Sequence, residues 1–309
     1  MSKKNKIFIA GHTGMVGSAC SKLLKLNGYQ NIITVDSSSL DLRDQNKVEK
    51  FIREKTPEVI INCAAKVGGI IANNNNPYSF LIDNMLIQNN LIKSSLESEV
   101  KKFIFLGSSC IYPRLSIQPI KEEYLLTSEL EQTNQWYALA KITGVKLIES
   151  LRIQHKREYF SLMPTNLYGY NDNFDLNNSH VLPALIRKFH ESKINRTNVT
   201  LWGTGEVYRE FLFVDDLANA VLLTSENNVN EYLYNVGSQE ELTIKDLSII
   251  IKKIVGYKGN IIWDETKPNG TPRKIMNSDK IRKLGWKPKT SLLEGIQKTY
   301  DWYLKSLKK

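Results

Sequence analysis

"KIFIAGHTGMVGSA", residues 6–19, decides the fold. Lys6–Ala10 is a short apolar run of the length and composition of a buried strand. Three glycines follow at three-residue intervals, Gly11, Gly14 and Gly17, and a helical pattern opens at Met15. Glycine in such a loop permits a tight turn, lets backbone approach a pyrophosphate and packs helix closely on strand. The helix N-terminus then offers free N–H groups and a favourable dipole to phosphate. The spacing is G-x-x-G-x-x-G rather than G-x-G-x-x-G, and a glycine triplet alone is weak. What strengthens it is its place directly after the first strand of an alternating pattern.

That alternation runs outward from the loop. "NIITVD" (Asn31–Asp36), "EVIINCAA" (Glu58–Ala65), "KKFIFLG" (Lys101–Gly107) and "EYFSLM" (Glu158–Met163) are strand-like. Between them lie helical patterns over Met15–Gly28, Gln45–Lys55, Phe80–Glu97 and Tyr137–His155. Strand and helix in turn argue for an α/β protein, a Rossmann-type doubly wound parallel sheet with helices on both faces. After about Tyr168 the chain becomes loop-rich, with "GYNDNFDLNNSH" and "WDETKPNGTPRK". The expected division is a dinucleotide-binding domain over 1–168, to which 209–236 returns. A smaller, interleaved C-terminal substrate domain is expected over 169–208 and 237–309.

Composition narrows the function classes. The 309 residues carry a net charge of +10, but the lysines are scattered rather than gathered into a block, so a nucleic-acid partner is not expected. A lysine-rich surface with a basic cleft for an anionic substrate accommodates the excess. Cys20, Cys63 and Cys110, with four scattered histidines, have neither disulfide nor metal-ligand spacing. No metal is expected, and a reducing cytoplasm fits unpaired thiols. The apolar patch "IFIA" behind the N-terminal lysines is too short for a signal sequence, and no run approaches a membrane span.

The chemistry lies at the strand ends. Asp36, about 20 residues past the glycines, stands where an acid bonds the adenosine ribose of NAD, or else caps a turn among Ser37, Ser38 and Ser39. Asp41 and Leu42 suit the adenine edge. Tyr137 and Lys141 are four apart, on one helix face, and a neighbouring ammonium favours phenolate. Such a tyrosine protonates an alkoxide as hydride reaches a carbonyl. Ser108, at the end of the preceding strand, completes the serine–tyrosine–lysine order of short-chain dehydrogenase/reductases. Next to it, "LGSSCIYP" (Leu106–Pro113) places a thiol, Cys110, beside hydroxyls. By themselves, Cys110 reads as a small buried hydrophobe and His180 as a loop residue.

Longer blocks, "AGHTGMVGSA", "AAKVGGI", "LGSSCIYP", "YALAKITG", "MPTNLYG", "NSHV", "WGTG", "REFL", "VDDLA" and "GTPRK", together resemble the GDP-L-fucose synthase family over about Lys6–Tyr303. These are the GDP-4-keto-6-deoxy-D-mannose epimerase/reductases of the extended short-chain dehydrogenase/reductase family. The resemblance implies epimerisation at C3 and C5 beside a ketone, then reduction of the C4 ketone with NADPH. It implies Cys110 as base, His180 as acid, and Ser108 and Tyr137 gripping first the enolate and then the alkoxide. Tyr137 donates the final proton, while Lys141 lowers its pKa and bonds the nicotinamide ribose.

Cofactor contacts implied in the same way are Gly11, His12, Thr13, Gly14, Met15, Val16 and Gly17, then Asp36, Ser37, Ser38, Asp41 and Leu42. Leu106, Gly107, Pro164, Thr165, Asn166, Leu167 and His180 complete them. For the GDP-sugar the resemblance implies Ser108, Lys188, Trp202, Arg209, Asn269 and Arg273, and it implies a homodimer through two long helices.

Departures from the family pattern concern the nucleotides. Thr13 and Ser38 stand where relatives carry arginines suited to a 2′-phosphate, and the Asp36 carboxylate repels one. NADP(H) is the family expectation; these residues leave NAD(H) open. Asn269 replaces an aspartate in "KPNGTPRK". The alternatives are an enzyme acting on a related GDP-4-keto sugar, of the colitose or heptose kind, and a non-catalytic dinucleotide-binding scaffold. Retention of Ser108, Tyr137 and Lys141 together speaks against the scaffold. Nucleotide-sugar 4-epimerases and 4,6-dehydratases share those three but have no use for a cysteine–histidine pair.

Overall fold

The structure is a computed structural model describing residues 1–267 and 269–308; Pro268, within "KPNGTPRK", and Lys309 lie outside the described residues. Strand β1 (Ile7–Ala10) is wholly buried, as four consecutive apolar residues demand in a sheet covered on both faces. Helix α1 (Met15–Leu26) follows the glycine loop. The chain then forms β2 (Ile32–Ile33), α2 (Gln45–Lys55), β3 (Val59–Asn62), α3 (Ile70–Asn75), α4 (Pro77–Glu97) and β4 (Lys102–Leu106), followed by α5 (Gln135–His155) and β5 (Glu158–Pro164). Local signals set these limits. Asp44 accepts the Lys47 N–H at 3.1 Å to start α2. Pro77 opens α4 at a position that has no intrahelical N–H bond to lose.

Beyond Pro164 come β6 (Asn166–Tyr168), α6 (Val181–Asn195), β7 (Val199–Trp202), β8 (Tyr208–Phe213), α7 (Val214–Glu226) and β9 (Leu233–Val236). The chain ends with β10 (Glu241–Thr243), α8 (Ile244–Val255), β11 (Ile261–Asp264), β12 (Arg273–Lys274), α9 (Asp279–Lys283) and α10 (Leu292–Ser306). One parallel sheet has the order β2-β1-β3-β4-β5-β9. Its order reverses at β1, with β2 on one side and β3 on the other. Such a switch point leaves a crevice at the carboxyl ends of the strands, and the glycine loop lies there.

Helices cover both faces of this sheet. Ala19 of α1 and Leu217 of α7 pack with Ile9 and Ile104 on one face. Leu91 of α4 and Ile148 of α5 pack with Phe8 and Phe105 on the other. The second strand is shorter than its sequence pattern. Only Ile32 and Ile33 pair, with Ile7 and Phe8 of β1, although β1 itself continues to Ala10. Asp36 therefore lies beyond the strand, where its backbone carbonyl accepts the N–H groups of Ser39 and Leu40, both at 3.0 Å.

Around β8 a smaller sheet forms, antiparallel to β10 and parallel to β12 and β6, while β11 pairs with β7. Phe189, Leu201, Phe211, Leu247 and Tyr300 fill its core. Residues 209–213 thus belong to the smaller sheet, and the chain rejoins the large one through α7 and β9. Glu210 ties the two together. Its carbonyl accepts the Thr165 hydroxyl at 3.2 Å and the Asn166 amide at 2.8 Å. Its buried carboxylate accepts the N–H groups of Gln239 at 2.6 Å and Met276 at 2.9 Å, and burial lifts its pKa to about 7. Among the described residues no helix is long and apolar enough to cross a membrane.

Candidate active site

The glycine loop is shaped by contacts that leave no room for side chains. Gly11 has φ +78°, and a Cβ there would press on the Ala64 backbone at 2.8 Å. A Cβ on Gly17 would collide with the Gly11 carbonyl, so α1 sits tightly on the loop. Gly14 is the N-cap of α1 and has no side-chain cap, which leaves first-turn N–H groups for an anion. With His12, Thr13, Met15 and Val16 between them, these glycines fit a dinucleotide pyrophosphate.

The surface around Asp36, where the adenosine was expected, carries little positive charge. His12 Nε2 stands 3.5 Å from Asp36 Oδ1, and the Asp36 carboxylate is 67% exposed. Thr13, Ser37 and Ser38 are exposed as well. Arg43, the nearby arginine, is already engaged. It pairs with Asp41 at 2.8 Å, holding that carboxyl down at about 2, and approaches Asp83 at 3.5 Å. The Leu42 carbonyl accepts the Asn90 amide at 2.9 Å.

The hydroxyl pair stands where β4 ends. Gly107 donates its N–H to the Leu162 carbonyl at 3.0 Å, and a Cβ on it would strike Met163. Ser108 then begins a short turn over Ser109–Ile111, its Oγ accepting the Cys110 N–H at 3.2 Å. Tyr137 lies in the first turn of α5 and Lys141 one turn later. Gly144 lets that helix lie against the Phe105 ring, and Phe80 meets Tyr137 edge-on at 6.5 Å.

Lys141 is buried and donates to the Leu106 carbonyl at 2.8 Å, with its ammonium 5.7 Å from the Tyr137 ring centre. Burial pushes its pKa down to about 8. The expected lowering of the Tyr137 pKa by Lys141 is corrected here. Burial first, then the nearby Cys110, raise the phenol well above its usual value, and the Ser108 hydroxyl is the group that opposes them. Tyr137 is held protonated, as a proton donor must be.

Cys110 lies two residues past Ser108, and three further segments converge on it. Asn134, at the start of α5, points its Nδ2 at Sγ from 3.5 Å. Lys274 of β12 brings Nζ to 3.6 Å. Arg209 of β8 is close enough that Cys110, after Glu131, favours its charge, although burial is the larger effect and lowers its pKa. Glu131 is itself paired with Arg114 at 3.1 Å.

The cysteine turn is anchored from below. The Tyr112 hydroxyl donates to Asn235 at 2.6 Å, and the Asn235 N–H donates to the buried Glu122 at 2.9 Å. His180 is the N-cap of α6. It is solvent-accessible, yet the crowding of protein around it and then the charge of Lys274 lower its pKa. Lys274 thus stands against the thiol and acts on the imidazole, while Cys110 and Ser108 both act on Tyr137.

Two residues outside the sequence reading shape this arrangement. Gly69 donates its N–H to the Asn178 carbonyl at 2.9 Å, and a Cβ on it would meet Ser179, so the loop carrying His180 packs directly on this backbone. The Gly68–Gly69 pair in "AAKVGGI" is the signal that could have found it. Lys274 closes the "GTPRK" block, but nothing in that block sets it apart from Arg273 or assigns it to the cysteine.

Of the residues expected at the sugar nucleotide, Lys188 and Trp202 come together, with the ammonium 5.6 Å from the indole and donating to the Thr200 carbonyl at 3.0 Å. Lys267 flanks the same ring at 6.0 Å. Asn269 Oδ1 accepts the Thr204 N–H at 2.9 Å, and its carbonyl meets Arg209 at 3.4 Å. Arg273 is drawn away from this group. Its guanidinium forms a two-pronged ion pair with Glu241 at 2.8 and 2.9 Å. Pro164, Thr165, Asn166 and Leu167 occupy the crossing from β5 to β6, at the seam of the two sheets.

Comparison with known proteins gives this arrangement a context. Residues 7–237 match the model of the NAD dependent epimerase/dehydratase family. The chain is 52% identical over 306 residues to GDP-L-fucose synthase 1 of Arabidopsis thaliana, covering 99% of this chain and 95% of that protein. A GDP-L-fucose synthetase from Naegleria fowleri, solved with NADP, superposes with a TM-score of 0.91 at 29% identity, covering 100% and 95%. The GDP-mannoheptose C4 reductase of Campylobacter jejuni, also solved with NADP, gives 0.90 at 36% identity, covering 98% and 99%.

Proposed function

The chain belongs to the NAD dependent epimerase/dehydratase family, and from that premise we propose that it is an NADP(H)-dependent epimerase/reductase forming GDP-L-fucose from GDP-4-keto-6-deoxy-D-mannose. One observation supports the reading beyond the family, a set of pairwise approaches: Cys110 Sγ lies 3.6 Å from Lys274, the Lys274 charge also reaches His180, and both Cys110 and Ser108 act on Tyr137. A simple ketone reductase needs Ser108 and Tyr137 alone. An enzyme that also inverts carbons beside the ketone needs a base and an acid as well.

In this reading Cys110 removes the proton from C3 or C5, and the electron pair passes to the C4 oxygen. The Ser108 and Tyr137 hydroxyls donate hydrogen bonds to that enolate oxygen. His180 returns a proton from the other face, and exchange with solvent takes the proton from the thiol and returns one to the imidazole. Gly11–Gly17 would hold the pyrophosphate of NADP(H), and Lys141 would bond its nicotinamide ribose. Bound NADPH supplies the hydride for the final reduction. Tyr137, which burial keeps protonated, then gives its proton to the C4 alkoxide. Lys188, Trp202 and Arg209 take the GDP portion by charge, donor geometry and an aromatic face.

The large sheet then serves as the dinucleotide domain and the smaller sheet as the substrate domain. We further propose a homodimer through α4 and α5, whose exposed Tyr78, Leu86, Trp136 and Leu139 offer an apolar face. The three free thiols suit a cytoplasmic location.

Incubation with GDP-4-keto-6-deoxy-mannose and NADPH in heavy water tests the reading by product analysis. The expected product is GDP-L-fucose carrying deuterium at C3 and C5. Cys110→Ser lowers that exchange about a hundredfold or more while NADPH affinity stays within about twofold. Undiminished exchange would remove the role given to Cys110. Turnover of a colitose- or heptose-type GDP-4-keto sugar in preference to this substrate would reassign the enzyme to those relatives.

A further inference from the structure

We propose that Asn134 and Lys274 are positioning residues for Cys110, bracketing its sulfur from two sides with donors that favour the anionic sulfur a base must present. The proposal rests on the reading of Cys110 as the base. Its grounds are geometric. A neutral thiol is a weak acceptor, whereas a thiolate is the nucleophile and the base and is favoured by hydrogen bonds and opposite charge. Both groups nearest Sγ are donors: the Asn134 amide at 3.5 Å and the Lys274 ammonium at 3.6 Å.

The other charges facing the sulfur agree with these two. From β8, Arg209 adds positive charge at longer range. Glu131 is the opposing carboxylate, and Arg114 pairs with it at 3.1 Å. Asn134 also sits at the N-terminus of the 21-residue helix α5 without spending its side chain on a cap, so the positive end of that helix lies on the same side.

The two donors come from different parts of the fold. Asn134 is fixed to the helix carrying Tyr137 and Lys141. Lys274 arrives with β12, which pairs with β8 and is followed by Met276, whose N–H is held by the Glu210 carboxylate at 2.9 Å. The base is therefore assembled only when the smaller sheet is docked against the large one. Formation of the thiolate releases one proton to solvent. The sulfur then takes one proton from the substrate carbon and becomes thiol again.

Alkylation of the enzyme by iodoacetamide at pH 7, without substrate, reads this directly, with Cys110 resolved from Cys20 and Cys63 by peptide mass. Because alkylation follows the thiolate fraction, Lys274→Met slows it by about tenfold or more. Asn134→Ala slows it by about threefold, and Lys274→Arg restores it to within about threefold of the parent. NADPH binding within twofold of the parent certifies the fold of each variant. Should Lys274→Met fail that check, Asn134→Ala and Lys274→Gln carry the test.

Alkylation rates within twofold of the parent in the folded variants would overturn the proposal, as would slowing by Lys274→Met that Lys274→Arg does not reverse. The two readings fail separately. Undiminished proton exchange in Cys110→Ser removes the base role whatever the alkylation rates show. Unchanged alkylation with exchange lost in Cys110→Ser removes only the bracketing donors.

Discussion

Ser108, Tyr137 and Lys141 come from one strand end and the next long helix, whereas Cys110, His180, Arg209 and Lys274 come from four segments of both sheets. The first group is held by the large sheet alone. Lys141 is buried and bonded to the Leu106 carbonyl at 2.8 Å, and Gly144 fits α5 onto Phe105. The second group meets at a seam, where Sγ contacts lie at 3.5 and 3.6 Å and Cys110 and Lys274 are 164 residues apart in sequence. In the proposed mechanism the reducing half draws its geometry from one packed layer, and the epimerising half depends on how two layers dock.

The largest effect expected from breaking this contrast is at Tyr137. Tyr137→Phe keeps the ring that packs on Phe80 but deletes the proton donor, so kcat for reduction falls by about 10²- to 10⁴-fold. NADPH affinity holds within about twofold, and exchange at C3 and C5 falls less than reduction does, because Ser108 still holds the enolate. Equal losses in both activities would erase the distinction between the halves.

Lys141→Met tests the buried layer itself. In the fold the ammonium titrates at about 8, against 10.5 in the unfolded chain. Between those values the unfolded state binds more protons, so native stability rises with pH across that window. Below pH 8 the burial penalty, ~3 kcal/mol, is present in full. The variant is therefore more stable than the parent at pH 7, by about 1–3 kcal/mol once the lost hydrogen bond is counted, although it is catalytically crippled. Urea denaturation should show this gap closing towards pH 10.5; a less stable variant at pH 7 would contradict it.

The smallest effect lies at the far end of the cofactor site. With Asp36 beside His12 and no arginine at Thr13 or Ser38, the NADPH preference in kcat/KM stays below about a hundredfold, ~2.7 kcal/mol. Asp36→Ala raises it by about five- to tenfold by removing a like charge from the 2′-phosphate. A parent ratio above a hundred would show that other groups supply the missing cation.

Much of this was legible beforehand, for identifiable reasons. "KIFIAGHTGMVG" announces a strand, a loop and a helix N-terminus because each needs particular residues in adjacent positions. Tyr137 and Lys141 declare a shared face through helical spacing. The end of the second strand was not legible. "NIITVD" has the pattern of a six-residue strand, but only Ile32 and Ile33 pair at this sheet edge, and residue pattern alone does not show where an edge strand peels away. Arg273 looked like an anion contact until Glu241 took it.

What the sequence determined by itself is therefore everything written in local periodicity: the alternating α/β plan, the glycine loop ahead of the first helix and the helix face shared by Tyr137 and Lys141. Tertiary structure alone decided which of 42 basic side chains stands at the cysteine, that the Tyr137 phenol stays protonated, and that Asp41 and Arg273 are already paired. The physical reason is that hydrogen-bonding pattern and side-chain period act over a few residues. Desolvation and charge pairing depend on distances through space, which exist only once the two sheets have closed on one another.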